Sequence, residues 1–312
     1  MWTKHTSSRT GKTYYFCAAT GETRWAQPVH GKVMDAPPPP TVEQHYDVRA
    51  VVKRKREDDP DYRARLHNNA VKAQLIETCV PIESTVLDVA CGKGGDLLKF
   101  APYIKAYTGI DVSEKSVLEA RRRASDDKRF TYMHADASLP LTLTEKYDAV
   151  SCMFALHYFY KTEAMLQTLL QNVSQHLIKG GMFFGIMTDA KALRVGAVQA
   201  LLKDKTTFGN TLFQIAYESK LKTCLTQKTD FGFGVPYVFK LQSGVVECEE
   251  YCAPISLLQR LGTEVGLEMV VNQNLGSFSL RPDLARAMRV QPLTEEEAEM
   301  VAMYTTFIFK KV

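Results

Sequence analysis

The chain has 312 residues, of which 45% are hydrophobic and 24% are charged, and its formal net charge is +4. This composition is typical of folded globular proteins and excludes a wholly disordered chain. The apolar runs are far shorter than the roughly 20 residues of a membrane-spanning helix, so no membrane association is expected. The seven cysteines lack metal-ligand spacing, which predicts reduced thiols in an intracellular protein and no bound metal.

Residues 1–30 form an aromatic segment with two turn signals. Trp2 and Trp25 are the only tryptophans of the chain, and Gly11 and Gly21 separate short runs rich in threonine and aromatic residues. Short runs of this kind with turn residues between them predict a three-stranded antiparallel meander. The alternative interpretation is an aromatic hairpin that only packs on the main domain.

The spacing of Trp2, Tyr14, Tyr15, Trp25 and Pro28 resembles that of a WW domain. The resemblance implies that Trp2, Tyr15 and Pro28 pack together as a small core. It also implies that Tyr14 and Trp25 form a groove for a proline-rich or phospho-Ser/Thr-Pro peptide, for example the tail of RNA polymerase II. The segment is therefore predicted to be a docking module.

Residues 31–60 are interpreted as a linker because proline and charged side chains dominate them. The four prolines at 37–40 favour a stiff polyproline II spacer. The four basic residues at 53–56 predict a nuclear localisation signal or a contact to RNA phosphates, and a solvated charge run is the third reading. A nuclear location is therefore expected, with the cytoplasm left open.

Strands and helices alternate in residues 61–312. The predicted strands lie at 85–90, 106–111, 130–134, 147–154 and 182–187, and the predicted helices at 96–100, 113–124 and 162–177. This alternation indicates an α/β domain, a Rossmann-like sheet with helices on both faces. A capping-box pattern at Thr294 predicts a short late helix, and a strand at 304–309 is expected to close the sheet.

A glycine-rich loop at 90–95 follows the first strand of this domain. In doubly wound sheets such a loop lies at the carboxyl edge, where ligands bind. Its spacing is not the three-glycine dinucleotide fingerprint, and Lys93 is not followed by the Ser or Thr of a P-loop. Asp111 ends the second strand, where a carboxylate accepts ribose hydroxyls. Asp136 follows the third strand and is predicted either to accept from an adenine amino group or to cap a turn.

These features resemble class I S-adenosylmethionine-dependent methyltransferases, and S-adenosyl-L-methionine is the cofactor that this resemblance implies. Longer matches in the same order resemble the mRNA cap guanine-N7 methyltransferases. They comprise residues 65–72, 91–100, 155–158, 233–239 and 245–258 together with Tyr304. Ala90 departs from the family's usual glycine, and Met153 departs from its usual glutamine.

The resemblance implies two sets of binding residues. The cofactor is expected to contact Lys72, Ala90, Gly92, Asp111, Asp136, Met153 and Tyr158. Capped RNA is expected to contact Asn68, Asn69, Lys93, Lys99, Arg123, His157, Glu250 and Tyr304. Alternatives remain for four of these: an ordinary loop position for His157, a core position for Tyr304, a solvated helix face for Arg123, and a neighbouring glutamate in the place of Glu250.

The implied reaction is transfer of a methyl group to N7 of the 5′-terminal guanosine of GpppRNA. Guanine N7 is already a lone-pair nucleophile, so neither a general base nor a metal is required. The protein must supply in-line placement, which can contribute on the order of 7–11 kcal/mol, and Glu250 would select guanine by accepting from N1–H and the N2 amino group. A monomer is expected. The alternatives are another RNA methyltransferase of the same fold and a non-catalytic WW adaptor.

Overall fold

The computed structural model of the chain describes residues 1–6, 13–17, 22–27, 33–35, 42–50, 59–242 and 247–312. Pro28, the proline run at 37–40 and the basic run at 53–56 lie outside the described residues. The chain divides into two compact units, Met1–Thr41 and Val42–Val312. Within the described residues, no helix combines the length and the apolar character that crossing a membrane requires.

The first unit is a four-stranded sheet. Its strands are β1 (Trp2–Thr6), β2 (Thr13–Cys17), β3 (Glu22–Arg24) and β4 (Val33–Asp35). β2 pairs antiparallel with both β1 and β3, whereas β4 pairs parallel with β1. The sheet therefore has one strand more than the predicted meander. The additional strand, β4, lies in the segment interpreted as a linker. It was not predicted because three residues are too few to show the alternation that identifies a strand.

The helices of the second unit lie before and between its strands. They are α1 (Val42–Ala50), α2 (Tyr62–Cys79), α3 (Leu97–Phe100), α4 (Glu114–Ala124), α5 (Glu163–His176), α6 (Ala190–Leu201), α7 (Ser219–Thr226), α8 (Ile255–Glu264), α9 (Pro282–Ala287) and α10 (Glu295–Val301). α1 was not predicted and lies in the segment interpreted as a linker. The predicted capping box is present, since Thr294 accepts from the N–H of Glu297 and the Glu297 carboxylate accepts from the N–H of Thr294.

A seven-stranded sheet forms the centre of the second unit. Its strands are β5 (Ser84–Val89), β6 (Ile104–Asp111), β7 (Phe130–His134), β8 (Tyr147–Met153), β9 (Leu177–Thr188), β14 (Leu267–Asn274) and β15 (Tyr304–Lys311). They lie in the order β14-β15-β9-β8-β5-β6-β7. β5 to β9 are parallel, and β15 is antiparallel to both of its neighbours. The predicted Rossmann-like architecture is confirmed.

The order of the strands reverses between β5 and β8, because the chain passes from β5 outward to β7 and then returns to β8. A crevice at the carboxyl ends of these two strands is the usual ligand site of a doubly wound sheet. The last strand was expected to close the sheet, but this was wrong. β15 lies between β14 and β9, because β14, a strand that the sequence analysis did not predict, takes the edge.

A second sheet follows β9 in the chain and was also not predicted. It is antiparallel, with β10 (Thr207–Gly209), β11 (Phe213–Tyr217), β12 (Pro236–Leu241) and β13 (Glu247–Tyr251) side by side in that order. In the pairing of β12 with β13, Tyr237 lies opposite Glu250. Because side chains of directly opposed residues share a face of the sheet, this register brings the two side chains together.

The core of the second unit occupies both faces of the central sheet. Successive residues of one strand enter different clusters: Val86 packs in the first and Leu87 in the second, as the alternation of side chains along a strand requires. α2, α4 and α6 contribute to the first cluster, and α5 and α8 to the second. Burial on both faces explains the apolar runs within the central strands, such as Val86–Leu87 in β5 and Phe183–Phe184 in β9.

Candidate active site

The glycine-rich loop between β5 and α3 runs directly past the carboxylate of Asp111. The N–H of Gly92 donates to Asp111 Oδ2 at 2.8 Å, and the N–H of Ser113 donates to Oδ1 at 2.8 Å. Ala90 and Gly92 both adopt left-handed backbone, with φ of +56° and +54°. A Cβ at Gly92 would meet no atom within 4 Å, so the loop has open space beside it at this point.

Asp111 is oriented by its two backbone donors at the end of β6. Burial raises the pKa of Asp111, and the hydrogen bonds from Ser113 and Gly92 oppose that rise. Each carboxylate oxygen accepts one of these bonds and has a second lone pair. The group can therefore accept two further donors, as the vicinal hydroxyls of a ribose would require.

Asp96 joins two lysines that the sequence analysis assigned to different ligands. Lys72 Nζ lies 2.7 Å from Asp96 Oδ2, and Lys99 Nζ lies 2.8 Å from Oδ1. Burial would raise the pKa of Asp96, but the two ammonium groups outweigh it and hold the pKa below its usual value. Lys72 also lies over the ring of Phe154 at 5.3 Å. The structure thus brings both lysines to the edge of the sheet near the loop.

Met153 ends β8 and Asp136 follows β7, so both residues lie at the carboxyl edge of the central sheet. Met153 is the buried last residue of β8, and its side chain packs in the core. Asp136 is exposed just after β7, and its Oδ1 accepts from the N–H of Ser138 at 2.8 Å. This is the turn-capping contact considered for Asp136 in the sequence analysis. It uses one oxygen of the carboxylate and is compatible with a second acceptor role.

A buried carboxylate, Glu250, lies at the centre of a polar cluster. It is 5% exposed, and Tyr237 donates to its Oε2 at 2.8 Å. The other oxygen, Oε1, lies 3.5 Å from both His157 Nε2 and the hydroxyl of Tyr158. The imidazole is at ion-pair distance but outside hydrogen-bond geometry, and within the described part of the chain neither of its ring nitrogens has a hydrogen-bond partner.

Aromatic rings connect the two parts of the site. Phe154 contacts Tyr304 edge-on, with ring centroids 4.9 Å apart, and Tyr304 lies 6.0 Å from the ring of Phe239. Because Lys72 lies over the same Phe154 ring that Tyr304 contacts, Phe154 links the Asp96 cluster to Tyr304. Tyr304 is only partly buried, so its ring is not simply a core side chain.

The remaining predicted residues differ in how they are placed. On α2, Asn69 donates to the carbonyl of Arg65, whereas the buried Oδ1 of Asn68 has no hydrogen-bond partner among the described residues. Lys93 lies in the loop and is half-buried. Arg123 pairs with Glu119 at 3.0 Å in the last turn of α4. α4 contacts the glycine-rich loop one turn earlier, since a Cβ at Gly94 would lie 3.2 Å from Cβ of Ala120, and residues three apart share a face of a helix.

Two residues at the site were missed by the sequence analysis as functional residues. Asp96 was read only as part of the loop, although a carboxylate one position after a double glycine suggests an anchor for nearby lysines. Tyr237 was included in a family match without a role. Its contact with Glu250 depends on the register of β12 and β13, which the sequence does not reveal.

The first unit has its own aromatic cluster. Trp2, Tyr15 and Cys17 are buried together, and the guanidinium of Arg24 lies 5.2 Å from the centroid of the Trp2 ring. Trp25 is 62% exposed. Trp2 and Tyr15 are therefore core residues, while Trp25 presents its ring to solvent. The side chain of Tyr14 lies outside the described residues.

The family model and the relatives of known function identify the family of this chain. Residues 37–312 match the model of the mRNA (guanine-N(7))-methyltransferase domain. The mRNA cap guanine-N(7) methyltransferase 1 of Oryza sativa is 32% identical over 305 residues, which cover 86% of this chain and 80% of the relative. The mRNA cap guanine-N(7) methyltransferase of Saccharomyces cerevisiae is 29% identical, with 87% and 70% covered.

Solved structures agree on the fold. The CcbJ methyltransferase of Streptomyces caelestis superimposes with a TM-score of 0.54 at 12% identity, covering 86% of this chain and 97% of that one. A putative S-adenosylmethionine-dependent methyltransferase of Listeria monocytogenes gives a TM-score of 0.53 at 16% identity, covering 80% and 98%. The chain thus belongs to the mRNA cap guanine-N7 methyltransferase family and is an enzyme whose methyl donor is S-adenosyl-L-methionine.

Proposed function

We propose that this enzyme methylates N7 of the 5′-terminal guanosine of GpppRNA, and that the Glu250 cluster recognises the guanine. The observation that carries the proposal is a buried carboxylate with one oxygen held by Tyr237 and the other only loosely approached by His157 and Tyr158. A buried carboxylate is costly unless its acceptor capacity is used. A ligand with two adjacent donors would satisfy it.

Guanine offers such a pair of donors, N1–H and the N2 amino group. Adenine presents an acceptor at N1 and has no N2 amino group, so it would leave Glu250 buried and unpaired. Among the described residues, the ring nitrogens of His157 beside the carboxylate have no hydrogen-bond partner, and His157 is proposed to contact the same base. Tyr304, whose ring is edge-on to Phe154, is proposed to bound the pocket on the side of the methyl donor.

The residues around the glycine-rich loop fit S-adenosyl-L-methionine. Asp111 is proposed to accept the ribose hydroxyls, and Asp136 the adenine amino group, while Gly92 leaves the space that a ligand needs beside the loop. Lys72 is proposed to bind the carboxylate of the cofactor, from the position where Asp96 holds it. Ala90, Met153 and Tyr158 are proposed to form the adjoining walls.

The protein's contribution to the reaction is placement. When bound, the sulfonium of the cofactor supplies an activated methyl group. Because guanine N7 has a free lone pair, no residue of this chain has to remove a proton. Glu250 therefore acts by orientation and selection, and correct alignment can supply on the order of 7–11 kcal/mol.

The phosphate bridge of the cap is proposed to contact Lys93 and Lys99. Lys99 is held beside the loop by Asp96, at the edge where the ligands meet. Asn68, with a buried unpartnered oxygen in the described structure, is proposed to approach the cap, with Asn69 beside it. Arg123, one turn of α4 beyond the contact of Ala120 with Gly94, is proposed to contact the same phosphate bridge.

The test is methyl transfer from labelled S-adenosylmethionine to GpppRNA, ApppRNA and uncapped triphosphate RNA, followed by nuclease digestion. Label on guanine N7 of GpppRNA alone supports the proposal. Label on another atom would instead favour a different RNA methyltransferase activity on the same fold. Cofactor binding without any methylated product from the isolated chain would require a partner subunit or overturn the substrate assignment.

We further propose that the first unit is a WW-like docking module for a proline-rich or phospho-Ser/Thr-Pro peptide. The burial of Trp2 and Tyr15 and the exposure of Trp25 support this, with Tyr14 as the second groove residue. A peptide of that type occurs in the tail of RNA polymerase II, which would place the enzyme in the nucleus. Mutation of Trp25 tests the docking, as described in the Discussion.

A further inference from the structure

Through Tyr46, helix α1 contacts Tyr158, which is proposed to line the cofactor site and whose hydroxyl lies beside the proposed guanine-reading carboxylate. The hydroxyl of Tyr46 lies 3.0 Å from the hydroxyl of Tyr158, and the two rings meet edge-on with centroids 6.2 Å apart. The same Tyr158 hydroxyl lies 3.5 Å from Glu250 Oε1. Tyr46 therefore limits the positions that Tyr158 can take beside the carboxylate.

The next residue of α1 contacts the cofactor side. Ser113 Oγ donates to Asp47 Oδ1 at 2.7 Å, and Lys115 Nζ lies 3.9 Å from Oδ2. Ser113 is fully buried and caps α4, and its N–H donates to Asp111. Asp47 thus holds the residue that orients the proposed ribose-binding carboxylate.

These two contacts diverge because consecutive residues of a helix point about 100° apart around its axis. Tyr46 reaches the segment after β8, and Asp47 reaches the segment after β6. Since β8 and β6 lie on opposite sides of β5 in the sheet, α1 connects the two halves of the site across the crevice. No other described residue pair is needed to make this connection.

Polar contacts contribute to the attachment of α1. Its side chains at Val42, Tyr46 and Asp47 are half-buried, and those at Glu43 and Gln44 are exposed. A helix of nine residues is marginal on its own in water. The polar contacts of Tyr46 and Asp47 therefore contribute to holding α1 against Tyr158 and Ser113.

We propose that Tyr46 and Asp47 are positioning residues that couple the binding of capped guanosine to the binding of the methyl donor. The inference rests on the proposed function, because it takes Glu250 and Asp111 as the ligand-contacting carboxylates. A ligand that holds Tyr158 or Asp111 in place favours the docked state of α1. The docked helix then holds Tyr158 beside Glu250 and Ser113 beside Asp111 in place, so the second ligand binds more tightly.

The test measures this coupling by calorimetry on the full chain. The dissociation constant of S-adenosylhomocysteine is measured with and without saturating GpppG, and that of GpppG with and without S-adenosylhomocysteine. For each ligand, the ratio is its dissociation constant without the other ligand divided by that with it. In the wild type the two ratios should be equal, as linkage requires, and about 5 or more. In Tyr46→Phe, Asp47→Ala and the double variant, the ratio should fall toward one, with the largest loss in the double variant.

Glu43→Ala is the matched control, because Glu43 is exposed on the same helix, and it should keep the wild-type ratio. A purely structural role would weaken both ligands and leave the ratio unchanged, which overturns the inference, as does a wild-type ratio of one. Glu250→Gln separates this result from the proposed function. If that variant binds GpppG as the wild type does, the guanine assignment fails, whatever the ratio in the α1 variants.

Discussion

Lys72 and Asp96 are 24 residues apart in the chain, and their side chains form an ion pair of 2.7 Å at the mouth of the glycine-rich loop. The pair is well shielded from solvent, with 18% of the lysine side chain and 10% of the aspartate side chain exposed. Because Lys99 binds the other carboxylate oxygen, one acidic group sets the position of two basic groups. The arrangement leads to a first prediction.

Asp96→Asn should lower the free energy of unfolding by about 2–4 kcal/mol, because it leaves two largely buried ammonium groups without their counter-charge. The matched control is Asp127→Asn, which breaks an exposed ion pair with Arg129 and should have little effect, as exposed pairs usually do. Urea unfolding of both variants provides the measurement. Equal losses in the two variants would show that the Asp96 cluster adds no special stability.

Glu250→Gln should reduce kcat/KM for GpppRNA by about 100-fold or more, because the amide replaces a charged acceptor of two guanine donors with a neutral group. Glu249 is the matched control, since it is exposed on the same strand, and Glu249→Gln should stay within about threefold of the wild type. Steady-state kinetics with both variants decides. A larger effect at Glu249 would move the guanine-reading role by one position.

Asp88 predicts a pH dependence of stability. It is buried in β5, and burial raises its pKa from 3.8 to about 7, although hydrogen bonds from Ser151 and Tyr107 oppose the rise. The folded state therefore holds the proton more tightly than the unfolded chain does. The stability that this group contributes is full below about pH 4 and is lost as the pH rises toward 7.

Asp88→Asn removes this titration. The unfolding free energy of the variant minus that of the wild type should be about 3 kcal/mol larger at pH 8 than at about pH 5. This follows from 1.36 kcal/mol per pKa unit. Urea titrations of both proteins at the two pH values give the difference directly. A difference between the proteins that does not change with pH would mean that Asp88 is already ionised in the folded protein.

The two tryptophans of the first unit should respond differently to mutation. Trp2 is 9% exposed and Trp25 is 62% exposed. Trp2→Ala should destabilise the unit by about 3 kcal/mol or more, seen as faster amide exchange in β1 and β2. Trp25→Ala should leave the exchange and the methyl transfer unchanged. It should, however, raise the dissociation constant of a fluorescent proline-rich peptide at least tenfold. An unchanged dissociation constant would reject the docking proposal.

The alternation of apolar strands and helices was readable in the sequence, because burial on both faces of a parallel sheet leaves a strong local signal. The glycine-rich loop and Asp111 were also readable, since each lies at the end of such a strand. The largest error in the ends of these elements is at β9, which was predicted from 182 and begins at Leu177. Strands with weaker patterns, such as β4, β10 and β14, escaped prediction.

Which distant side chains meet depends on the tertiary fold. The capping box at Thr294, the loop at 90–95 and the chemistry of each residue type are local properties, which can be read from the sequence alone. The pairing of Tyr237 with Glu250 depends on strand register, and the position of α1 over Tyr158 and Ser113 depends on a few polar contacts. Such contacts leave no periodic pattern in the chain, because their partners lie 13 to 112 residues apart.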